Sequence, residues 1–194
     1  RLQAVKETSR KIVENLMDQD ELLLVVYSTD VEVLVSKRKV TNKQKFLAAI
    51  DRLHTMSSTN LSGGMLAGMG GLEPEKFKGV SRVLLLTDGQ ANAGVSDRTG
   101  LLNLVKARPE NTSLSTFGFG TDCNQDLLAD MAKEGGGNYY FIDGAADTQV
   151  VFARELGGLA ACQAQNIVVR FEPGKDVKVL EVLNDYKVED QSGA

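Results

Sequence analysis

The sequence predicts an α/β fold in which a doubly wound, mostly parallel sheet carries one antiparallel edge strand and is followed by a short β-rich C-terminal segment. Through residue 160, apolar runs of strand length alternate with amphipathic helical patterns. Two of the runs are separated by three residues, which is too short for the crossover that parallel strands need. Beyond residue 160 the helical patterns stop, and clusters of β-branched residues surround one Pro-Gly pair.

The chain opens with a helix and a hairpin. Apolar residues from Leu2 to Leu16 recur at spacings of three and four, which predicts an amphipathic helix. The run Glu21–Tyr27 is rich in β-forming residues and predicts a buried strand. Only Ser28-Thr29-Asp30 separates it from Val31–Val35, so the two strands form an antiparallel hairpin with the second strand at the sheet edge.

Two helices follow the hairpin. Thr41-Asn42-Lys43-Gln44 predicts a capping box that begins a helix whose apolar face includes Phe46 and Ile50. A second helical pattern, Ser62–Leu72, has glycines at positions 64, 68 and 71. Each interior glycine destabilises a helix by about 1 kcal/mol relative to alanine. We therefore expect these glycines to allow a close backbone-to-backbone approach or a tight loop at the start of the helix.

The second half of the chain alternates strands with helices, as a parallel sheet requires. Asp97 and Asp147 are expected to cap the helices that follow them, and the glycines at 135–137 to end the helix before them. In order, the predicted elements are the fully buried strand Arg82–Leu86, a helix after Asp97, the strand Ser113–Phe119, the helix Asn124–Lys133, the strand Tyr139–Ile142 and the helix Thr148–Leu156.

These patterns divide the chain into an α/β domain, residues 1–160, and a β-strand segment, residues 161–194, that begins a following β-rich module. The strands predicted in the segment are Ile167–Phe171, Val177–Val182 and Tyr186–Val188. Pro173-Gly174 separates the first two, so the segment is expected to fold as strand, turn and strand without a helix.

Composition narrows the classes of function. The net charge is −4, with basic and acidic residues interspersed, so the chain lacks the basic stripe of a nucleic-acid-binding protein. No run approaches the roughly 18 apolar residues of a membrane-spanning segment. With one histidine and no nucleophile-elbow or phosphate-loop motif, the sequence nearly excludes a nucleophilic triad and does not predict an enzyme.

Oxygen-bearing side chains occur at two places where apolar structure stops. Residues 57–64, Ser-Ser-Thr-Asn-Leu-Ser-Gly-Gly, lead into a helix, and Thr87-Asp88-Gly89 follows a strand. In an open parallel sheet, ligands bind outside the carboxyl ends of the strands, where Asp88 lies and where Thr59 can add a hydroxyl. A hard cation such as Mg²⁺ binds a few such oxygens and retains several waters. The two segments therefore indicate a metal-assisted binding site.

Both residues have other interpretations. Asp88 can form an Asx-turn with the Gly89 region. It can also act as a nucleophilic carboxylate if acids and a lysine cluster at neighbouring strand ends, where Asp30 and Asp122 are the visible candidates. Thr59 can cap the helix that follows it.

The residues at both places, with the order of elements around them, resemble the von Willebrand factor type A domain family. Members of that family build a metal-ion-dependent adhesion site from an Asp-x-Ser-x-Ser loop, a loop with a threonine and a Thr-Asp-Gly loop. Thr59 and Asp88 match the second and third loops, and the stretches Ser115–Asp122 and Gly136–Tyr140 also look like this family. The chain has no Asp-x-Ser-x-Ser, and it opens on residues that resemble the family's first helix.

The resemblance implies a protein-binding or adhesion module with Mg²⁺, or alternatively Mn²⁺ or Ca²⁺, at the carboxyl edge of the sheet. A carboxylate of the protein partner would complete the metal's coordination. With two of three loops present, metal binding is expected to be weak or absent. The competing function is a scaffold that binds its partner by surface complementarity without metal. The metal ligands implied are Thr59 and Asp88, and the partner-binding face implied comprises Ser58, Asn60, Ser62, Gln90 and Asn92.

The resemblance also implies a central strand between the strands 21–27 and 82–86. Without that strand, each of the two would expose unpaired backbone groups, which is an aggregation hazard. We expect a segment upstream of Arg1 to fill the position; a strand from a second copy or the chain's own Ile167–Phe171 are the alternatives.

Overall fold

The structure is a computed structural model, and it divides into two units, residues 1–163 and 164–194. The residues that it describes are 2–55, 58–73, 79–144, 147, 150–151, 154–155, 157–158, 169–170, 172–178 and 180–181. Within them, none of the helices is long and apolar enough to cross a membrane.

The first unit has the element order that the sequence predicts. The elements are α1 (Leu2–Asn15), β1 (Glu21–Tyr27), β2 (Val31–Lys39), α2 (Lys43–Asp51), α3 (Leu61–Gly70), β3 (Ser81–Thr87), α4 (Arg98–Lys106), β4 (Thr112–Phe119), α5 (Gln125–Glu134) and β5 (Gly136–Ile142). The described residues between 147 and 158 are also helical. The predicted α/β class is therefore confirmed.

The first unit contains two sheets. The hairpin β1–β2 is antiparallel, as predicted, with Tyr27 opposite Val31 at the turn and Glu21 opposite Lys39 at the far end. Strand β2 is four residues longer than the predicted Val31–Val35. In the second sheet, β3, β4 and β5 are parallel, with β4 at the centre and almost entirely buried.

Strands β1 and β3 do not pair with each other. Within the described residues, β1 pairs with β2 and β3 with β4, so each of β1 and β3 has one edge without a backbone partner among them. The structure corrects two predictions of burial. No residue of β1 is fully buried, and β3 alternates between buried and half-buried residues. An apolar run becomes fully buried only where neighbouring strands and helices cover it on every side, and the described residues do not cover one edge of each strand.

Helices α1 and α3 each contact both sheets. On α1, Ile12 packs in the cluster that contains Phe117 of the second sheet, whereas Val13 packs with Val35 of the first sheet. On α3, Leu61, Met65 and Met69 pack against Val83 and Leu85 of the second sheet, and Tyr27 of the first sheet packs against the same cluster. These helices therefore join the two sheets through apolar contacts.

The glycines of α3 approach side chains of the strands. A Cβ on Gly64 would overlap the ring of Tyr27, and a Cβ on Gly71 would overlap Leu23. The Cβ position of Gly68 lies 3.4 Å from Cγ1 of Val83. The expected backbone-to-backbone approach is therefore wrong at these positions, because the groups that need the space are strand side chains.

The helix ends test four predicted caps. Asp97 accepts a hydrogen bond of 2.8 Å from the Gly100 amide, and α5 ends at Gly135, as expected. The predicted capping box of α2 is wrong, because Asn42 is the N-cap and makes no side-chain cap bond. The carboxylate of Asp147 accepts 3.2 Å bonds from the amides at 143 and 144, in the backbone before it, and residues 148–149 of the turn after it lie outside the described ones.

The second unit is described at eleven residues, 169–170, 172–178 and 180–181, and none of them lies in a strand. A 3.0 Å bond from the Val177 amide to the Gly174 carbonyl forms a turn. Val169 and Leu180 are more than four-fifths exposed. β-Branched residues favour a strand only when partner strands bind the backbone, and these residues have no such partner among those described. The other residues of the predicted strands lie outside the described ones.

Candidate functional site

Asn60 anchors the loop that contains Thr59 in two ways, through its backbone amide and through its side chain. The backbone amide of Asn60 donates a 2.7 Å bond to the Ser28 carbonyl, just past the carboxyl end of β1. The side-chain oxygen of Asn60 accepts from the Gly63 amide at 2.9 Å and from the Ser62 hydroxyl at 3.1 Å. Asn60 is thus the N-cap of α3, and the alternative in which Thr59 caps this helix is wrong.

A second loop, residues 92–95, is bound to the first. The side-chain oxygen of Asn92 accepts from the Thr59 amide at 2.7 Å and from the Ser58 hydroxyl at 3.0 Å. The Asn92 amide donates to the Thr59 carbonyl at 3.1 Å, and the Val95 amide donates to the Ser62 hydroxyl at 3.0 Å. The backbone of Thr59 is therefore fixed on both sides.

Asp88 lies beside this fixed loop. Strand β3 ends at Thr87, whose hydroxyl donates a 3.1 Å bond to the Gly89 carbonyl and so closes a turn around Asp88. The Thr59 hydroxyl is 3.4 Å from the Cβ position of Gly89, so it lies against the residue that follows Asp88. The Asp88 carboxylate is exposed and makes no hydrogen bond or ion pair with a described residue, so the Asx-turn is not observed within them.

The predicted partner-binding residues have different roles in the structure. Ser58, Ser62 and Asn92 use their side-chain oxygens in bonds between the two loops, and Asn60 uses its side-chain oxygen in bonds within the first loop and the start of α3. Gln90 is exposed, and its side chain makes no hydrogen bond with the described residues. Four of these residues thus build the edge, and a partner contact by any of the five stays a prediction.

The donor set partly fits a hard cation. A threonine hydroxyl and a carboxylate are oxygen ligands of the kind that Mg²⁺ prefers, and neither has a partner among the described residues. One carboxylate is a small number of charged ligands for a divalent ion. The described residues contain no group of three or more His, Cys, Asp or Glu that could hold a metal.

The phenol of Tyr27 lies beneath this edge, and the sequence analysis missed it. Its hydroxyl donates a 2.7 Å bond to the Leu86 carbonyl, although the two residues are 59 positions apart. Burial raises the pKa of Tyr27 well above its usual value; the Asp88 charge acts in the same direction and a hydrogen bond with Thr87 acts against it. In the sequence, the feature that could have pointed to Tyr27 was its hydroxyl at the end of an otherwise apolar strand.

A second polar cluster, also missed, lies in the amino-terminal half of the parallel sheet. The fully buried carboxylate of Glu155 accepts from Ser115 at 2.6 Å, Arg82 at 2.8 Å, Asn138 at 3.0 Å and Tyr140 at 3.0 Å. Burial alone would raise the pKa of Glu155, but the hydrogen bonds from Ser115, Asn138 and Arg82 and the Arg82 charge lower it below its usual value. Glu155 is four residues after the apolar Val151, so helical spacing would have placed both on the same inward face.

Comparison with known proteins agrees with this architecture. The model of the von Willebrand factor type A domain family matches residues 1–154. The uncharacterized protein YfbK of Escherichia coli (strain K12) is 30% identical over 175 residues, which are 89% of this chain. The chain spans 30% of that relative's own length.

Two solved structures share the fold. The hypothetical protein BatB from Bacteroides thetaiotaomicron is similar with a TM-score of 0.70 and 17% identity, over 84% of this chain and 89% of its own. Proximal thread matrix protein 1 from the mussel byssus, solved with a zinc-occupied metal-ion-dependent adhesion site, is similar with a TM-score of 0.62 and 17% identity, over 82% of this chain and 42% of its own. At this identity the likeness concerns the fold alone.

Proposed function

The chain belongs to the von Willebrand factor type A domain family, and from that premise we propose that its carboxyl edge binds a protein partner with the help of a divalent cation. Members of this family commonly serve in protein–protein interaction and adhesion, and they are generally not enzymes. The edge consists of residues 58–62, 87–89 and 92–95. Thr59 and Asp88 are the proposed metal ligands, and Gln90 is the proposed partner contact.

One observation carries the proposal. Most polar side chains around Thr59 and Asp88 are used in hydrogen bonds within or between the loops, whereas the Thr59 hydroxyl and the Asp88 carboxylate have no partner among the described residues. Oxygens on loops held this firmly can bind a ligand with little reordering of the chain. A carboxylate and a hydroxyl on neighbouring loops are oxygen ligands of the kind that a hard cation prefers.

A bound Mg²⁺ or Mn²⁺ would supply positive charge at an edge that otherwise carries the negative charge of Asp88. A carboxylate on a protein partner could then occupy a coordination position that the protein leaves to water. Mg²⁺ retains several waters when one or two protein groups hold it, so such a position is expected. The zinc in the site of the mussel protein supports a divalent cation as the ion type, without identifying the metal here.

Metal-independent binding is the second candidate. The observation that favours it is the small donor set, because one carboxylate and one hydroxyl bind a hard cation weakly. In that case the partner would contact the exposed surface of the same loops directly, including Gln90 and the exposed side chain of Val95.

Titration of the full chain with Mn²⁺, observed by NMR, tests the proposal. Mn²⁺ broadens the resonances of nearby amides, so we expect selective broadening at residues 58–60 and 87–90 at millimolar and not submicromolar concentrations. Asp88→Ala should abolish the selective broadening, because it removes the only charged ligand.

Asp18→Ala is the matched control, since Asp18 is an exposed aspartate in the turn between α1 and β1, away from the edge. It should leave the Mn²⁺ titration unchanged. Equal broadening in wild type and Asp88→Ala would contradict the metal site, and partner binding that survives chelation of divalent ions would favour the metal-independent candidate.

A further inference from the structure

We propose that Asn92 is a positioning residue for Thr59, because it holds the loop of one proposed metal ligand against the loop that follows the other. This inference rests on the proposed function of the carboxyl edge. Asn92 comes four residues after Asp88, and its partner Thr59 is 33 positions away in the chain. The short segment from Asp88 to Asn92 is therefore tethered at one end to β3 and at the other end to Thr59.

Asn92 binds both polar groups of the Thr59 backbone. Its side-chain oxygen accepts from the Thr59 amide at 2.7 Å, and its own amide donates to the Thr59 carbonyl at 3.1 Å. The same side-chain oxygen accepts from the Ser58 hydroxyl at 3.0 Å. Groups that bind a ligand need supporting hydrogen bonds of this kind to stay in the geometry that binding requires. These bonds therefore limit the positions that the Thr59 hydroxyl can reach.

Gly94 allows the two loops to approach closely enough for these bonds. Its φ is +66°, a left-handed conformation that favours glycine. A Cβ at this position would overlap the side-chain oxygens of Asn60 and Ser62. Directly after the glycine, the Val95 amide donates to the Ser62 hydroxyl at 3.0 Å. The loops are therefore attached at two points, Asn92 and Val95, with the glycine between them.

The exposure of Asn92 distinguishes a positioning role from a stabilising one. Asn92 is exposed, so its hydrogen bonds compete with water and contribute little to the free energy of unfolding. The Thr59 hydroxyl lies 3.4 Å from the Cβ position of Gly89 and has no partner among the described residues. A loop that has to be ordered when a ligand binds lowers the affinity for that ligand. Asn92 therefore matters more for binding at this edge than for the stability of the fold.

Amide exchange with water, measured by NMR on the full chain without metal, tests the polar contact. The Thr59 amide should exchange about fivefold faster in Asn92→Ala, the effect of losing one hydrogen bond. Asn92→Asp keeps an acceptor oxygen at the same place and should restore the slow exchange.

Asn124→Ala is the matched control for this measurement. Asn124 accepts a 3.1 Å bond from the Leu127 amide at the start of α5, so it is also an asparagine whose side-chain oxygen binds one backbone amide. Its replacement should leave the exchange of the Thr59 amide unchanged. Unaltered Thr59 exchange in Asn92→Ala, or fast exchange in Asn92→Asp, would overturn the positioning role.

Gly94→Ala tests the close approach of the two loops. The added methyl would overlap Asn60 and Ser62, so this change should also speed the exchange of the Thr59 amide. Gly136→Ala is the matched control, because Gly136 has the same φ of +66° and its Cβ position is 3.8 Å from the nearest described atom. It introduces the same backbone strain and should leave Thr59 unchanged. Equal effects of both variants on Thr59 would contradict the role of the close approach, and Asn92→Ala remains decisive if Gly94→Ala does not fold.

Mn²⁺ then separates positioning from general stability. In Asn92→Ala, the Mn²⁺ concentration for half-maximal broadening of the Asp88 and Thr59 amides should rise at least about threefold, the effect of ordering the loop only on binding. In Asn124→Ala, which loses the cap of α5 and should be less stable, this concentration should not change. An equal rise in both variants would show that Asn92 acts through stability alone. If wild type shows no Mn²⁺ broadening at this edge, the proposed function fails, and the metal-free exchange of Thr59 still decides the role of Asn92.

Discussion

The parallel sheet has a carboxylate near each end, and the two carboxylates differ in burial and in hydrogen bonding. Glu155, in the amino-terminal half, is fully buried and accepts four hydrogen bonds. Asp88, at the carboxyl edge, is exposed and accepts none from the described residues. Burying a charge is costly unless it is paired and hydrogen-bonded, so a saturated carboxylate is part of the structure. A carboxylate left open on fixed loops is available to a ligand.

The largest effect is expected from replacing Glu155, the carboxylate that accepts four hydrogen bonds. Glu155→Ala leaves the Arg82 guanidinium, which is mostly buried, without its ion-pair partner. Breaking a buried pair in this way destabilises a protein by about 3–5 kcal/mol. Urea denaturation of the full chain measures the loss. Glu110→Ala, an exposed glutamate, is the control and should change the free energy of unfolding by less than about 0.5 kcal/mol.

A second test removes the Glu155 charge with acid. The pKa of this carboxyl is lowered in the folded state from a reference of 4.5, so its charge stabilises the domain at neutral pH. That contribution decreases as the pH falls below 4.5 and through the lower folded pKa. The difference in unfolding free energy between wild type and Glu155→Gln should therefore be constant from pH 7 to 6 and shrink towards pH 3. A difference that does not depend on pH would show that folding leaves the pKa of Glu155 unshifted, and a difference that changes in favour of the wild type towards pH 3 would show that Glu155 is protonated in the fold.

A smaller effect removes one donor to the buried carboxylate. Tyr140→Phe deletes the 3.0 Å bond to Glu155 and keeps the ring stacked on Phe117. Burial and Glu155 raise the pKa of Tyr140 to about 12, so the phenol is protonated and donates at neutral pH. A hydrogen bond to a charged group contributes about 1.5–3 kcal/mol, which denaturation would detect. No loss would mean that three donors saturate Glu155.

The smallest effect on stability is expected at the open end. Asp88→Ala should change the free energy of unfolding by no more than about 0.5 kcal/mol, since the carboxylate contacts no described partner. The same holds for Thr59→Ala. Both variants should nevertheless lose Mn²⁺ binding, which a metal titration measures. A loss of several kcal/mol in either variant would make that residue structural and remove the contrast with Glu155.

The sequence predicted those features that depend on neighbouring residues. Periodicity placed the strands and helices of the first unit, and Asp97 was recognised as a cap because its partner is three residues away. The Thr59 and Asp88 loops could be paired because parallel strands end at one edge.

Features that depend on distant residues could not be predicted in this way. Tyr27 meets Leu86 across 59 positions, Asn92 meets Thr59 across 33 and Glu155 meets Ser115 across 40. No local pattern specifies such contacts. Burial also depends on distant neighbours, and the apolar runs of β1 and β3 predicted more burial than the described residues show.

The division into two sheets has a consequence for how the domain folds. The hairpin β1–β2 closes over a turn of three residues, so its backbone bonds form between near neighbours in the chain. Isolated hairpins form in about 1–10 μs. The parallel sheet needs closure of the longer β3–α4–β4 and β4–α5–β5 connections, and non-local pairing of this kind is slow. Within the described residues, α1 and α3 pack against both sheets, so these helices couple the early hairpin to the slower parallel sheet.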